Sequence, residues 1–308
     1  MTNVLWQMTG LIVCGVVWRL LKPAGLDPVQ TRKVLTSLVY YLLLPALVLS
    51  VLWKTELGPV SVWIALSAAS GIVAGLLLGM LSCRLCHNKA AETGAVILAA
   101  SFPNATYLGL PVLEATFGPW ARSVAIQYDL FACTPLLFTV GVLFAARLGN
   151  SESGNIKGKA LGKELLYIPA MWAAILAVAL NAFSVPMPDV IKGWLSLLER
   201  GVAPLMLISL GLSLEWGQSR WGKLPTLIPV VALSLFILPA VVLAVATGLG
   251  LEGEMRAAVV MEAAMPSMVI GLVLCDRYNL DTALYAAAVT VTTVLSLVTL
   301  PMWYGWLV

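Results

Sequence analysis

AASFPNATYLG (residues 99–109) and EAAMPSMVIG (residues 262–271) are two apolar segments, each broken near its centre by a proline beside a small polar residue. They occupy matching places in the two halves of the chain. Hydrophobic segments interrupted at corresponding positions of two halves are the best sequence indication of a substrate site in a secondary transporter. The pattern therefore predicts a protein that moves a small solute across a membrane.

The composition is typical of a membrane protein. Hydrophobic residues make up 60% of the 308-residue chain, charged residues only 11%, and the mean hydropathy is +0.95. A soluble protein of this length needs more polar surface to cover its core. The charges fall in short stretches between apolar runs of about 20 residues, each long enough to cross the hydrocarbon layer. We interpret the first run as a span, because it lacks the basic start and the cleavage site of a signal peptide.

Ten spans fit the chain, so we predict an all-α membrane protein with ten transmembrane helices. A polar stretch rich in Gly, Ser, Asn and Lys divides it into a first five-span repeat (1–150), a cytoplasmic linker (151–163) and a second five-span repeat (164–308) of one membrane domain. The predicted spans are Val4–Leu21, Thr31–Trp53, Val60–Ser82, Glu92–Ala115, Ala121–Ala146, Glu164–Phe183, Ile191–Leu214, Leu224–Gly248, Met255–Cys275 and Thr282–Val308.

The basic residues predict the orientation of the spans. Of the 18 Lys and Arg residues, 13 fall in odd-numbered connections and 5 in even-numbered ones. Short loops rich in Lys and Arg stay in the cytoplasm. We therefore expect the odd-numbered connections to face inward and both termini to face outward. The net charge of +3 reflects this asymmetry, and we expect no nucleic-acid partner.

The two halves of the chain repeat each other. LPALVLS (44–50) resembles APLMLIS (203–209), and three prolines recur in order, with gaps of 58 and 32 residues in the first half and 62 and 35 in the second. A repeat of five spans is odd, so the second copy must be inverted, which places the binding site near the midplane between the copies. The prolines are Pro45, Pro103 and Pro135, followed by Pro204, Pro266 and Pro301.

APLMLISLGLSL (203–214) and PNATYLGLP (103–111) resemble hallmarks of the auxin efflux carrier family. The resemblance covers essentially the whole chain, and the short central connection is similar to bacterial members, which implies a bacterial cytoplasmic (inner) membrane. The family is similar in turn to the bile/arsenite/riboflavin-transporter-like superfamily. This implies a scaffold packed against a core whose fourth and ninth spans cross at their breaks. It also implies organic-anion substrates, such as carboxylates or auxin-like acids.

The chemistry of the first break also favours an anion. Pro103 disfavours helix at Phe102, so the fourth span is expected to unwind there and restart near Asn104 with unpaired amides and a positive dipole end. Ser267 is expected to cap the second restart. Alternatively, both breaks are kinks closed by neighbouring hydroxyl groups. The predicted substrate-binding residues are Pro103, Asn104, Ala105, Thr106, Pro266, Ser267 and Met268.

Carboxylates inside a membrane are costly and usually functional. Glu262 lies one helical turn before the second break, and Asp129 lies in the middle of the fifth span beside Gln127. We predict these three residues as candidates to carry a coupling H⁺ or to bind Na⁺. A structural hydrogen bond is the alternative for each carboxylate. Glu199 is expected to need a partner from another helix, and Glu114 to lie at a solvated rim.

Two further motifs have simpler explanations. CRLCH (83–87) matches the pattern of covalent haem attachment, but it lies at a span end in a connection predicted to be cytoplasmic. It also offers few ligands for a metal, so we expect neither a cofactor nor a metal. Small residues recur every fourth position from Ser67 to Gly79. Such spacing allows close helix packing, either within one protomer or at the seam of a homodimer.

The sequence contains no metalloprotease motif, no phosphate-binding loop and no acidic cluster suited to Mg²⁺-diphosphate chemistry. An integral membrane enzyme is thus the weaker alternative, and we expect none. A sodium/proton antiporter of related fold is the main alternative, but it favours an aspartate at the crossing, where this chain has Asn104 and Ser267. We predict a carrier of small organic anions that works by alternating access around a midplane crossover site.

Overall fold

The computed structural model describes residues 2–55, 57–149, 168–214 and 224–308, so the predicted linker 151–163 lies outside the described residues. Within these ranges the chain is helical, and its only β-type contact is an isolated bridge. The helices are α1 (Thr2–Leu21), α2 (Pro28–Leu52), α3 (Pro59–Cys86), α4 (Ala90–Ser101), α5 (105–117), α6 (Ala121–Leu148), α7 (Pro169–Ala182), α8 (Asp189–Ser213), α9 (Pro225–Gly248), α10 (Gly253–Ala263), α11 (Gly271–Arg277) and α12 (Thr282–Leu307).

Six helices are long and apolar enough to cross a membrane, namely α2, α3, α6, α8, α9 and α12. Shorter apolar helices occur in α1, α4 and α7. The prediction of an all-helical protein is confirmed for the described residues, and these six helices are consistent with a membrane protein. The count of ten spans and the inversion of the second repeat stay predictions.

Proline shapes several of these helices through wide, π-helical turns. A π turn shifts the hydrogen-bonding register by one residue, which helps to accommodate the backbone groups that a proline leaves unpaired. Asp129 begins one such turn inside α6. Four π turns each end two residues before a proline: Val39–Leu43 before Pro45, Ala105–Gly109 before Pro111, Asp129–Cys133 before Pro135 and Leu233–Ile237 before Pro239.

The helices pack into two groups. The first group consists of α1, α2, α7 and α8, and the second of α3, α4, α6, α9, α10, α11 and α12. Helix α5 lies between them, because it contacts α1 and α8 of the first group and α6 and α10 of the second. The helix that restarts after the first break therefore sits at the boundary between the two groups.

An ion-pair cluster also joins the two groups. Arg122 of α6 contacts Glu114 of α5, and its second terminal nitrogen lies 3.2 Å from the Oε1 atom of Glu199 on α8. Glu199 thus has the partner on another helix that its sequence position requires. The expectation for Glu114 was incomplete, because this half-exposed carboxylate is part of an ion pair rather than only solvated.

Candidate functional site

The fourth predicted span breaks where Pro103 disfavours helix. Helix α4 ends at Ser101, Phe102 is extended (φ −111°, ψ 105°), and the helix resumes after Asn104. This confirms the predicted position of the first break. In the second half, a longer break around Pro266 separates α10 from α11.

The two breaks pair with each other through an antiparallel bridge. The Asn104 N–H donates to the Pro266 carbonyl at 2.7 Å, and the Met268 N–H donates to the Phe102 carbonyl at 3.0 Å. Backbone groups freed inside a membrane protein must find partners, because no lipid group can supply them. Each break thus satisfies the other, and the fourth and ninth segments meet at their prolines.

Two side chains of α12 and a backbone carbonyl of α4 hold the second break in place. The Ser267 N–H donates to Thr292 Oγ1 at 3.1 Å, and the Tyr285 hydroxyl donates to the Met268 carbonyl at 2.7 Å. The prediction that Ser267 caps the restarted helix is wrong. Its hydroxyl instead donates to the Ala99 carbonyl at 2.7 Å, because α11 begins only at residue 271, beyond the reach of this side chain.

Asn104 is the central polar side chain of the first break. It is 3% exposed, lines a partly enclosed cavity, and its Nδ2 atom has no hydrogen-bond partner within the described residues. Helical bonding resumes where the Leu108 and Gly109 amides donate to the Asn104 carbonyl at 3.2 and 3.0 Å. The amides of Thr106 and Tyr107 therefore precede the first helical bonds. A buried donor without a partner is costly, and a bound ligand is one way to satisfy it.

The cavity combines a mostly apolar wall with a few polar groups, as small-molecule sites usually do. Its polar groups come from α5, α6, the first break and α2, and are Asn104, Thr106, Asp129, Thr134, Tyr40 and Tyr107. Its apolar wall consists of Leu44, Leu130, Leu137, Phe138, Ile168, Ala170, Met268, Val269 and Ile270.

Two threonines hold Asp129 at the edge of this cavity. The carboxylate is 8% exposed, and its Oδ1 atom accepts a hydrogen bond from the Thr134 hydroxyl at 2.9 Å. Its Oδ2 atom accepts from the Thr106 hydroxyl. Because Thr106 lies on α5 and Thr134 on α6, the carboxylate joins the two helices that flank the cavity.

Glu262 lies behind the cavity rather than in its wall. Its side chain is fully buried (0% exposed), and neither carboxylate oxygen has a hydrogen-bond partner within the described residues. It packs against the backbone of Gly109, where an added methyl group would overlap the carboxylate. The Gln127 Oε1 atom is likewise buried and unpartnered in the described part of the chain. The structure thus separates the three coupling candidates, since only Asp129 reaches the cavity.

The predicted site residues divide in the same way. Asn104, Thr106 and Met268 line the cavity, whereas Pro103, Ala105, Pro266 and Ser267 form the crossing behind it. Sequence reasoning missed Tyr40, Tyr107 and Thr134. The sequence did contain an indication of Thr134, because this residue lies one π turn after Asp129 on the same helix. It contained none of Tyr40, which reaches the cavity from a helix distant in the sequence.

A second, wider cavity adjoins the first and carries positive charge. Arg32 and Lys33 of α2 line it together with the hydroxyl residues Thr36 and Ser37. Both basic residues belong to the first, odd-numbered connection, which is predicted to be cytoplasmic. The residues shared by the two cavities are Tyr40, Tyr107, Val269 and Ile270.

Among residues 2–55, 57–149, 168–214 and 224–308, no three His, Cys, Asp or Glu side chains form a group that could hold a metal ion. The C-x-x-C-H motif closes α3, with Cys83 buried and Cys86 exposed. His87 adopts a left-handed conformation at the helix end (φ 55°). The motif lies at a helix terminus, as the sequence indicated.

Residues 10–304 match the sequence model of a family described as membrane transport protein. The chain is 27% identical over 307 residues to an uncharacterized transporter of Methanothermobacter thermautotrophicus, an alignment that covers 98% of this chain and 97% of that protein. It is 23% identical over 217 residues to the uncharacterized transporter YfdV of Escherichia coli, covering 69% and 68%. It is 22% identical over 242 residues to the probable auxin efflux carrier component 5b of Oryza sativa, covering 67% and 66%.

Proposed function

Since the chain belongs to the membrane transport protein family, the family of the auxin efflux carriers, we propose that this membrane transporter is a secondary carrier of small organic anions. Carboxylates or auxin-like acids are the proposed substrates, and alternating access around the crossing of the two breaks is the proposed mechanism. We propose no catalytic activity, because the named relatives are transporters or carriers.

The observation that carries this proposal is the unpartnered Asn104 amide in the cavity at the crossing. An amide donor beside the positive end of a restarted helix provides two kinds of stabilisation for a carboxylate, one directional and one electrostatic. The mostly apolar wall lowers the local dielectric constant, which strengthens both. In transporters with broken helices, half-helix N-termini point at anionic substrate groups in this way.

The basic cavity beside the site supports an anionic substrate. Arg32 and Lys33 create a positive field where the wider cavity opens, and such a field raises the local concentration of anions and their association rate. Tyr107 lines both cavities, and its neighbour Thr106 lines the central cavity, so the two cavities are adjacent at this point of α5. We propose that the wider cavity is the cytoplasmic access path of the conformation described here.

The two helix groups support alternating access. Inverted repeats allow one group to move against the other around a fixed midplane site, and α5 lies at their boundary. We propose ten spans in two inverted repeats, in a bacterial cytoplasmic membrane with both termini outside. A homodimer with a seam along α3 stays a proposal.

Coupling to H⁺ or Na⁺ is proposed for Asp129, Glu262 and Gln127. A charged carboxylate buried without a partner costs several kcal/mol or more, whereas binding a cation or a proton removes that cost. Glu262 meets this description, because neither of its oxygens has a partner in the part of the chain that the structure describes. Its contact with the backbone of Gly109 on α5 would transmit a change at this carboxylate to the substrate site.

A sodium/proton antiporter is the second candidate function. The specific observation in its favour is that a carboxylate, Asp129, lines the cavity itself. Two threonine hydroxyls already stabilise that carboxylate, whereas the Asn104 amide donor has no partner among the described residues. The balance of polar groups therefore favours an anionic ligand at Asn104.

Substitution of Asn104 distinguishes the two functions. Asn104→Ala removes a hydrogen bond to a charged group, worth about 1.5–3 kcal/mol, so we expect carboxylate affinity to fall about ten- to a hundredfold. Asn104→Asp is nearly isosteric but sets a negative charge against the anion, and should bind more weakly still. The measurement is binding and uptake of labelled malonate and of an aromatic acetate by purified protein in liposomes.

Asn88→Ala is the matched control, because it makes the same chemical change outside the cavity, at the loop after α3. All variants are compared at equal amounts of folded protein and after measurement of their unfolding temperatures. If Asn104→Asp is tolerated and Asn104→Ala is not, the cavity attracts a cation. The antiporter assignment would then replace the carrier of organic anions.

A further inference from the structure

The central cavity holds two polar groups of opposite kind. Asn104 presents an unpartnered donor, and Asp129 presents a carboxylate that can only accept while it is ionised. We propose that the transported anion carries a second polar group, a neutral hydrogen-bond donor such as a hydroxyl group, which Asp129 recognises. This inference rests on the proposed carrier function and narrows its substrate class.

Asp129 has acceptor capacity left for a ligand. The two carboxylate oxygens offer about four lone-pair sites, and three donors use them: the Thr134 hydroxyl on Oδ1, the Thr106 hydroxyl on Oδ2 and the Cys133 thiol, so about one site remains for a ligand. The two hydroxyls come from different helices and hold the carboxylate plane in a fixed orientation. A carboxylate that two donors hold in a fixed orientation in a cavity wall is preorganised to bind a ligand, unlike a solvated surface group.

The charge of Asp129 restricts which anions can bind. A ligand consisting only of a carboxylate and an apolar body would bring its negative charge near Asp129 without compensation. A donor on the ligand, facing Asp129, replaces that repulsion by a charge-assisted hydrogen bond. Asn104 can then orient the ligand carboxylate at the other polar point of the cavity.

The apolar part of the cavity wall favours a ligand with an apolar side group. Large apolar side chains of the wall include Leu44, Leu130, Leu137 and Phe138. Burial of apolar ligand surface against them stabilises binding in proportion to the area removed from water. The preferred ligand is therefore a hydroxy acid with an apolar side group, rather than a small carboxylate alone.

A series of four acids tests this inference on the native protein. The acids are 3-phenylpropanoate and its 2-hydroxy, 2-methyl and 2-methoxy derivatives. The methyl group matches the hydroxyl in size, and the methoxy group keeps the oxygen but cannot donate. We expect the 2-hydroxy acid to bind about tenfold or more tightly than the other three, measured by calorimetric titration of purified protein.

Asp129→Asn tests the assignment to this residue. The amide keeps the shape of the side chain but has no charge and one acceptor oxygen, so the preference for the hydroxy acid should largely disappear. Asp189→Asn is the matched control, because this exposed aspartate begins α8 away from the cavity, and it should keep the preference.

The outcomes separate this inference from the proposed function. If all four acids bind with equal affinity, Asp129 does not recognise a hydrogen-bond donor on the ligand. This inference is then wrong, whereas the proposed anion carrier is still supported. If none of the acids binds and the protein transports Na⁺ or H⁺ instead, both this inference and the proposed anion carrier are wrong. The ligand series needs no substitution, so a poorly folded Asp129→Asn variant would not block the decision.

Discussion

At the scale of single residues, the two buried carboxylates near the crossing differ in their surroundings. Asp129 accepts two hydrogen bonds and reaches the cavity, whereas Glu262 is 0% exposed and has no hydrogen-bond partner among the described residues. An ionised carboxylate in the second environment is far more costly than in the first. Of the two, Glu262 therefore depends more on a bound proton or cation.

Glu262→Gln should preserve the fold and remove the coupling. The amide has nearly the same shape and no charge to bury, so the unfolding temperature should stay equal or rise. Gradient-driven uptake should lose most of its dependence on an imposed pH or sodium gradient, while equilibrium binding of the substrate changes less. The measurement is uptake into liposomes with and without each gradient, together with thermal unfolding.

Glu254→Gln is the control, since this glutamate is exposed in the first turn of α10. Asp129→Asn is tested in parallel, because it is the other candidate for coupling. Full gradient-driven uptake by both Glu262→Gln and Asp129→Asn would mean that neither carboxylate couples transport, and an uncoupled carrier would replace the coupled one.

At the scale of the elements, glycines determine how closely α1 and α8 approach. A methyl group added to Gly15 would lie 2.9 Å from the Gly211 Cα atom and would also overlap the Ile208 carbonyl oxygen. These are backbone atoms, so no side-chain rotation can relieve the contact. Small residues at such a crossing let two helix backbones touch, which is the usual basis of helix association in membranes.

Gly15→Ala is therefore expected to destabilise the packing of the first helix group. Forcing a methyl group into a tight contact costs about 1–3 kcal/mol, measured here as a lower unfolding temperature of the purified protein. Gly10→Ala in the same helix is the control, because nothing lies within 4 Å of the added methyl group. Alanine favours helix over glycine, so this control should be neutral or stabilising. Equal stability of the two variants would contradict the close contact.

At the scale of the whole molecule, the inverted repeat makes a prediction about sidedness. The turn between α1 and α2 and the turn between α7 and α8 hold equivalent places in the two halves. In a parallel repeat they lie on the same side of the membrane, and in an inverted repeat on opposite sides. The positive-inside rule assigns the first of these turns to the cytoplasm.

Single cysteines at Ala24 and Ser184, both exposed in these turns, test the sidedness in a cysteine-free background. We expect Ser184→Cys to react with a membrane-impermeant maleimide added outside intact cells. Ala24→Cys should react only after the membrane is permeabilised. Asn88→Cys, in the third connection, should behave as Ala24→Cys does. Labelling of Ala24→Cys and Ser184→Cys from the same side would rule out the inverted repeat.

The sequence by itself determined the protein class and the place of both breaks. Hydropathy, the proline at position 103 and the residues beside it act locally, through solvation and through backbone bonds that proline cannot make. For the same reason, the sequence located Asn104 at the first break and marked Asp129 and Glu262 as buried carboxylates.

Only the tertiary structure decided which of these residues share a cavity. It joined Tyr40 and Thr134 to Asn104 and Asp129, gave Ser267 a carbonyl partner on α4 in place of a helix to cap, and left Glu262 behind the cavity wall. It also paired Arg122 with two glutamates from different helices. Such contacts depend on how helices far apart in the chain pack together, and packing is a property of the whole set of helices that no local pattern contains.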